Sequence, residues 1–320
     1  MIRKILTFNG LDNVSFTTEE YVPPEGGCVL FTDFSTVSPG TELFSIREGR
    51  PVQPGYIRTG HTADGQHCFV FPSMAESSAG HCNLHAPGPG SLLLPLPDGL
   101  PPELAGFLRF INIGLHPFCR RKPLPERVAV IGLGPVGNLA AQTSKLLGCD
   151  TTGVDPSPGR RKLAARCGIG RAIPPEDFNT RERQFDLVID TVCSSSSLEA
   201  SARSLKDGGG CSMVGIVKDG PFAASQLCRE IWNRDLHFES GWEMKNPLSR
   251  TEQNLKRGLN WVLAGGYTLR PLLSGIVEPE PEAIRAAYRN LADHPGDCFC
   301  YAIDWRRLSE RSSRRRAGYQ

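Results

Sequence analysis

Short apolar runs cut by turn residues dominate the first hundred positions. Residues 29–34, 68–71 and 92–97 read as strands, and Ser38-Pro39-Gly40 and Pro54-Gly55 read as turns between them. From Pro101 the apolar positions shift to helical spacing through Leu104, Leu108, Ile111 and Leu115. The short apolar run 127–131, bounded by glycine, then opens an alternating series. Helices are predicted over 136–147, 159–167 and 198–205, and strands over 151–154, 187–190 and 210–214. A helix over 251–264 precedes Gly265-Gly266, and residues 271–301 carry a strand, a helix and a closing strand. Strands alternating with helices of about ten residues predict an α/β fold with a doubly wound parallel sheet.

At 320 residues the chain is long enough for two cores. The pattern divides it into a β-rich segment 1–115, an α/β segment 116–268, a return segment 269–306 that completes the first domain, and a polar tail 307–320. Residues 306–320 hold six arginines and almost no apolar residue, which predicts disorder. Over the whole chain 36 basic residues, several of them in that tail, nearly balance 34 acidic ones, so no whole-protein field steers the chain to nucleic acid. No run approaches the roughly 20 apolar residues of a membrane span. Eleven cysteines without an apolar leader segment fit reduced thiols, and the expected location is cytoplasmic.

The segment Gly132-Leu133-Gly134-Pro135-Val136-Gly137 lies between the strand 127–131 and the next helix. In that context Gly132 permits a tight turn, Gly134 lets backbone approach a pyrophosphate, and Gly137 lets helix pack on strand. Pro135 and Val136 open the helix, whose N-terminal N–H groups and dipole favour phosphate. Asp155, 18 residues after Gly137, is placed to accept ribose hydroxyls and repel a 2′-phosphate, so NAD is favoured over NADP. Arg160 lies close enough along the chain to flank the adenosine. Asp190-Thr191 and Val214-Gly215-Ile216 end later strands, where ligands bind in open parallel sheets. Thr191, Gly215 and Ile216 are therefore candidate walls of the cofactor groove.

With these residues the chain resembles the medium-chain dehydrogenase/reductase superfamily over nearly its whole length. The resemblance rests on Ser38-Pro39-Gly40-Thr41-Glu42-Leu43, Pro54-Gly55-Tyr56, the 130–137 run, Gly153-Val154-Asp155 with Arg161 and Ala164-Ala165, and Ala302-Ile303-Asp304-Trp305. It implies a Rossmann domain plus a β-rich, GroES-like catalytic domain, a homodimer, and a small-molecule substrate. The turn residues are most similar to a zinc-free branch that includes bacteriochlorophyllide dehydrogenase. Zinc-dependent members place a cysteine ligand where this chain has Pro39 and a histidine where it has Tyr56. Arg109 falls near their third ligand, and a guanidinium would repel the ion. The four-cysteine structural lobe is also missing, since Cys28, Cys68, Cys82, Cys119 and Cys149 are scattered. No zinc of either kind is expected.

Without a Lewis acid, hydrogen-bond donors must polarise a carbonyl and a side chain must move the proton. The resemblance points to Thr41, Glu42, Tyr56 and Arg109. Tyr56 is the better proton carrier, because a cation such as Arg109 favours its phenolate. The alternatives are a turn cap for Thr41, a core position for Tyr56 and an ion pair with Glu42 for Arg109. His81-Cys82-Asn83-Leu84-His85 contains good metal ligands without a visible partner cluster. Asn112 and His116, four apart on one helix face, reach substrate or pack the helix. The expected reaction interconverts a secondary alcohol and a ketone on a small or medium polar metabolite. A quinone or enoyl reductase and a non-catalytic NAD-binding redox sensor are the alternatives.

Overall fold

A computed structural model describes residues 1–76, 80–119, 121–217 and 224–308. The chain opens with β1 (Ile2–Phe8) and β2 (Val14–Glu20), paired as an antiparallel hairpin. β3 (Leu30–Thr36) follows, and then helix α1 (Pro39–Arg47). The Ser38-Pro39-Gly40 segment expected as a turn is thus the start of a helix. Pro39 sits at the first helical position, where its fixed φ and missing N–H cost nothing.

Next come β4 (Arg58–Thr62), β5 (His67–Phe71), β6 (Leu84–His85) and β7 (Leu92–Pro95), then helices α2 (Pro102–Ala105) and α3 (Phe107–Leu115). The α/β series contains β8 (Arg127–Ile131), α4 (Pro135–Leu146), β9 (Asp150–Val154), α5 (Pro158–Arg166), β10 (Ala172–Ile173) and α6 (Pro175–Phe178). It continues through β11 (Phe185–Asp190), α7 (Ser195–Ser204), β12 (Leu205–Met213), α8 (Ala224–Arg234), β13 (His237–Ser240) and α9 (Leu248–Leu263). β14 (Gly275–Val277), α10 (Pro281–Asp293) and β15 (Tyr301–Asp304) close the chain.

These elements form two compact units, one of Met1–Arg109 with the segment from Leu272 onward, the other Phe110–Pro271. The sequence division at 115/116 and 268/269 differs by a few residues because α3 runs through the first boundary. The tail from residue 309 lies outside the described residues.

In the first unit a sheet runs in the order β14-β15-β3-β4-β5-β7, with β6 also paired to β3. The return segment enters this sheet as β15, antiparallel to β3, and packs α10 into the core. Tyr288, Ile284 and Leu291 of α10 lie against Phe8, Ile46 and Trp305. In the second unit a six-stranded parallel sheet has the order β10-β9-β8-β11-β12-β13. Counted within that unit this is 3-2-1-4-5-6, whose order reverses between β8 and β11, the place where such sheets open to a ligand. Val128, Val130, Leu187 and Ile189 fill one face, and Ala129, Val188 and Cys211 the other. Strands buried on both faces read as continuous apolar runs, which is why 127–131 and 187–190 stood out in the sequence. All eleven cysteines are free thiols. No helix among the described residues is long and apolar enough to cross a membrane.

Candidate active site

The glycine turn joins β8 to α4 at the reversal point of the parallel sheet. Gly132 has φ +85°, a left-handed conformation that a side chain would strain. A Cβ on Gly137 would lie 1.8 Å from the Gly132 carbonyl oxygen, so helix and turn approach as only glycine permits. A Cβ on Gly134 would meet nothing nearer than the Arg160 guanidinium at 3.7 Å. Its φ of −64° suits any residue, so this glycine leaves open space over the backbone. Gly134 is the N-cap of α4, no side chain caps it, and Pro135 follows at the first helical position. Gly134, Pro135 and Val136 are half-buried and form the rim of the cradle. A diphosphate fits these features, because the orphan N–H groups and positive end of α4 face the space that Gly134 leaves.

Around this cradle the predicted cofactor residues take distinct roles. Asp155 is buried at the end of β9. Its Oδ2 accepts from the Leu133 N–H at 2.8 Å and its Oδ1 from the Ser157 N–H at 2.8 Å. Arg160 Nη1 lies 3.4 Å from Oδ2, which places one cation beside both Asp155 and Gly134. The Thr191 hydroxyl donates to the carbonyls of Ile131 and Gly132, at 2.9 and 3.2 Å, and so braces the turn. A Cβ on Gly215 would collide with the Thr191 carbonyl at 2.6 Å. Ile216 follows it as an exposed residue.

Among the candidates in the first unit, the structure joins Glu42 and Tyr56 through Ser38. Tyr56 OH donates to Ser38 Oγ at 2.8 Å, and the Ser38 N–H donates to Glu42 Oε1 at 2.7 Å. Arg109 lies with its guanidinium carbon 5.3 Å from the Tyr56 ring centroid and 4.3 Å from that of Phe71. The cation therefore rests on aromatic faces, a favourable arrangement when desolvated. Thr41 is exposed on the first turn of α1.

Glu42 also anchors residues that the sequence left aside. Its Oε2 is hydrogen-bonded to His81 Nε2 at 3.0 Å and accepts from the Tyr288 hydroxyl, while His81 Nδ1 contacts Ser35 Oγ at 2.7 Å. Trp305 Nε1 donates to the same Ser35 oxygen at 2.8 Å. Burial and the Glu42 charge push the Tyr288 phenol well above its ordinary value, so it remains a donor. Gly55, at φ +115°, is needed for His81, because its Cβ would fall 2.5 Å from the imidazole. Tyr288 carried no sequence signal beyond the helical spacing around it. His81 was visible as a metal-capable residue but is a buried network member instead.

In the second unit His116 is tied by Nδ1 to the Asn246 amide at 2.9 Å. Both amide atoms of Asn112 are buried without a hydrogen-bond partner.

Residues 135–241 match the family model described as "Zinc-binding dehydrogenase". The sorbitol dehydrogenase of Bacillus subtilis is 28% identical over 131 residues, which are 38% of this chain and 37% of that protein. The match thus spans little more than a third of that relative's length. Over the whole fold, L-idonate 5-dehydrogenase from Escherichia coli superposes with a TM-score of 0.78 at 15% identity, covering 95% of this chain and 98% of the other. An alcohol dehydrogenase from E. coli CFT073, solved in complex with NADH, gives a TM-score of 0.78 at 15% identity, covering 95% and 99%. The family model and the curated relatives match parts of the chain, and the likeness to the solved dehydrogenases shows a shared fold over nearly its whole length.

Proposed function

We propose that this chain is a zinc-independent, NAD(H)-dependent oxidoreductase that interconverts a secondary alcohol and a ketone on a small or medium polar metabolite. The observation that carries the reading is the glycine cradle at the reversal point of the 3-2-1-4-5-6 sheet, with an uncapped helix N-terminus and an adjacent carboxylate. The NADH-bound neighbour and the sorbitol dehydrogenase relative support cofactor and reaction class. Bound NAD(H) would supply the hydride acceptor or donor.

Donor chemistry supports zinc independence. Pro39, Tyr56 and Arg109 stand where the superfamily's ligands are expected, and they offer no thiolate, imidazole or carboxylate. A guanidinium resting on the Tyr56 ring opposes a dication there. Tyr56 instead carries the proton, positioned by Ser38, while Glu42 holds Ser38 through its backbone. Arg109 favours the phenolate that forms as the proton leaves. This chemistry resembles the zinc-free branch of the superfamily.

Turnover of NAD with a panel of secondary alcohols should persist after chelation. Tyr56→Phe should lower kcat by about 10² to 10⁴, the usual worth of a positioned acid or base, with NADH affinity unchanged. Near-normal turnover in that variant, or loss of turnover on chelation restored by zinc in a His61→Gln/His67→Gln background, would overturn the mechanism. Cofactor binding without turnover of any alcohol would favour a redox sensor. We also propose a homodimer joined along β13, the outer strand of the parallel sheet, since an uncovered edge is a liability that pairing removes. Sedimentation of a monomer alone at micromolar concentration would exclude it.

A further inference from the structure

On the sheet of the first unit, Asp33, His61 and His67 converge from three successive strands. β3 and β4 shift register between the pairs Thr32↔Gly60 and Phe34↔Thr59, which leaves Asp33 as the extra residue of a bulge. Such a bulge re-aims a side chain. On the neighbouring ladder His61 and His67 face each other directly. The Asp33 carboxylate bridges the pair, with Oδ1 2.9 Å from His61 Nδ1 and Oδ2 3.1 Å from His67 Nδ1. One ligand atom from each residue lies within 4.8 Å of the others, the one such cluster among the described residues.

We propose that Asp33, His61 and His67 form a zinc site that clips β3, β4 and β5 together. Two imidazole nitrogens and one carboxylate are a donor set zinc takes, with water completing the shell, whereas calcium and magnesium prefer all-oxygen sites. Ligands at about 2.1 Å from a tetrahedral ion lie about 3.4 Å apart, so the nitrogen–oxygen pairs at 2.9 and 3.1 Å open slightly while the widest ligand pair, within 4.8 Å, draws in. The exposures permit it. Asp33 is 5% exposed and lies in the bulge, while His61 and His67 are 40% and 54% exposed, with solvent on their outer sides. The His61 ring is stacked on Phe31 at 5.5 Å, which limits its rotation to a small range.

Metal entry requires both rings to carry their proton on Nε2, leaving Nδ1 as the donor atom. Arg306 donates to both oxygens of Asp304, at 2.8 and 2.9 Å. None of the three residues is among the groups assigned to proton transfer, and the proposal does not rest on the dehydrogenase reading.

The test is zinc titration of the full chain, stripped with chelator, followed by calorimetry and thermal melting. The wild type should take one equivalent and gain melting temperature. His67→Gln should weaken binding at least about tenfold, and His61→Gln/His67→Gln should abolish both binding and the gain in melting temperature. Cobalt(II) should give a ligand-field absorption in the wild type that the double variant lacks. No stoichiometric binding to the wild type, or one equivalent surviving in a folded double variant, would overturn the proposal. Asp33→Asn, which keeps side-chain volume, should lose affinity as His67→Gln does; unchanged affinity in it would likewise overturn the three-ligand site.

Discussion

The two units carry chemistry by different means. In the parallel-sheet unit the candidate groups are largely backbone, with N–H groups at the start of α4 exposed by glycines of fixed spacing. In the first unit they are side chains assembled across long stretches of chain, with Glu42 bonded to Tyr288 and Ser35 to Trp305. A backbone site tolerates no Cβ where atoms touch, whereas a side-chain site tolerates changes that keep its donors and acceptors paired. The glycine turn tests the first half of that contrast. Gly137→Ala drives a Cβ into the Gly132 carbonyl, and neither partner is a flexible side chain, so loss of several kcal/mol of stability is expected. Gly134→Ala has room for its Cβ and an ordinary φ, so thermal melting should barely change while NADH binding falls. Melting curves and NADH titrations of both variants decide this. Equal stability loss in the two would remove the distinction between a packing glycine and a ligand glycine.

The first unit is better probed by pH. His85 on β6 is buried, and burial, reinforced by Arg58 and Arg3, pushes its imidazole down to about 3. The unfolded chain protonates the same ring near 6.5, so it binds more protons than the folded state between those values. The contribution is complete above about pH 6.5 and falls as pH drops from there toward 3, by about 1.4 kcal/mol per pH unit. His85→Gln should therefore flatten the fall in stability between pH 6.5 and 4.5 relative to the wild type. Denaturant midpoints across that range measure it, and parallel slopes would show that the ring protonates in the folded protein.

The same contrast explains what could be seen in the sequence. The strands at 127–131 and 187–190 were visible because both their faces are buried, and the Gly132 to Gly137 turn because its spacing is a backbone requirement. Helix α1 was hidden by Ser38-Pro39-Gly40, whose composition suits a turn as well as a helix start. His61 and His67 are six apart and unremarkable along the chain, and only the β4–β5 register places them opposite each other. Asp33 joins them through a bulge, which alternation alone does not announce. Tyr288 lies 246 residues from Glu42, a separation over which no local pattern operates. Arg109 was placed near the emptied ligand position, but its rest on Tyr56 and Phe71 rather than on Glu42 is a packing outcome.

Asp155 stands where the two kinds of site meet, a side chain serving a backbone turn, and its substitution carries the smallest of these effects. The sequence assigns it to the ribose hydroxyls, while in the structure both carboxylate oxygens already accept backbone N–H groups from Leu133 and Ser157. Each oxygen has a second lone pair, so the two roles are compatible, and the negative charge beside the adenosine position remains. Asp155→Ser removes that charge and leaves Arg160 beside the site, which favours a 2′-phosphate. The ratio of NADPH to NADH affinity should rise about tenfold, equivalent to about 1.4 kcal/mol. Stability should fall as well, since a serine hydroxyl replaces two acceptors with one. Dissociation constants for both cofactors, with melting curves, separate these effects. A lower melting temperature with an unchanged cofactor ratio would mean that Asp155 only ties the glycine turn to β9, and that cofactor choice is made by Arg160.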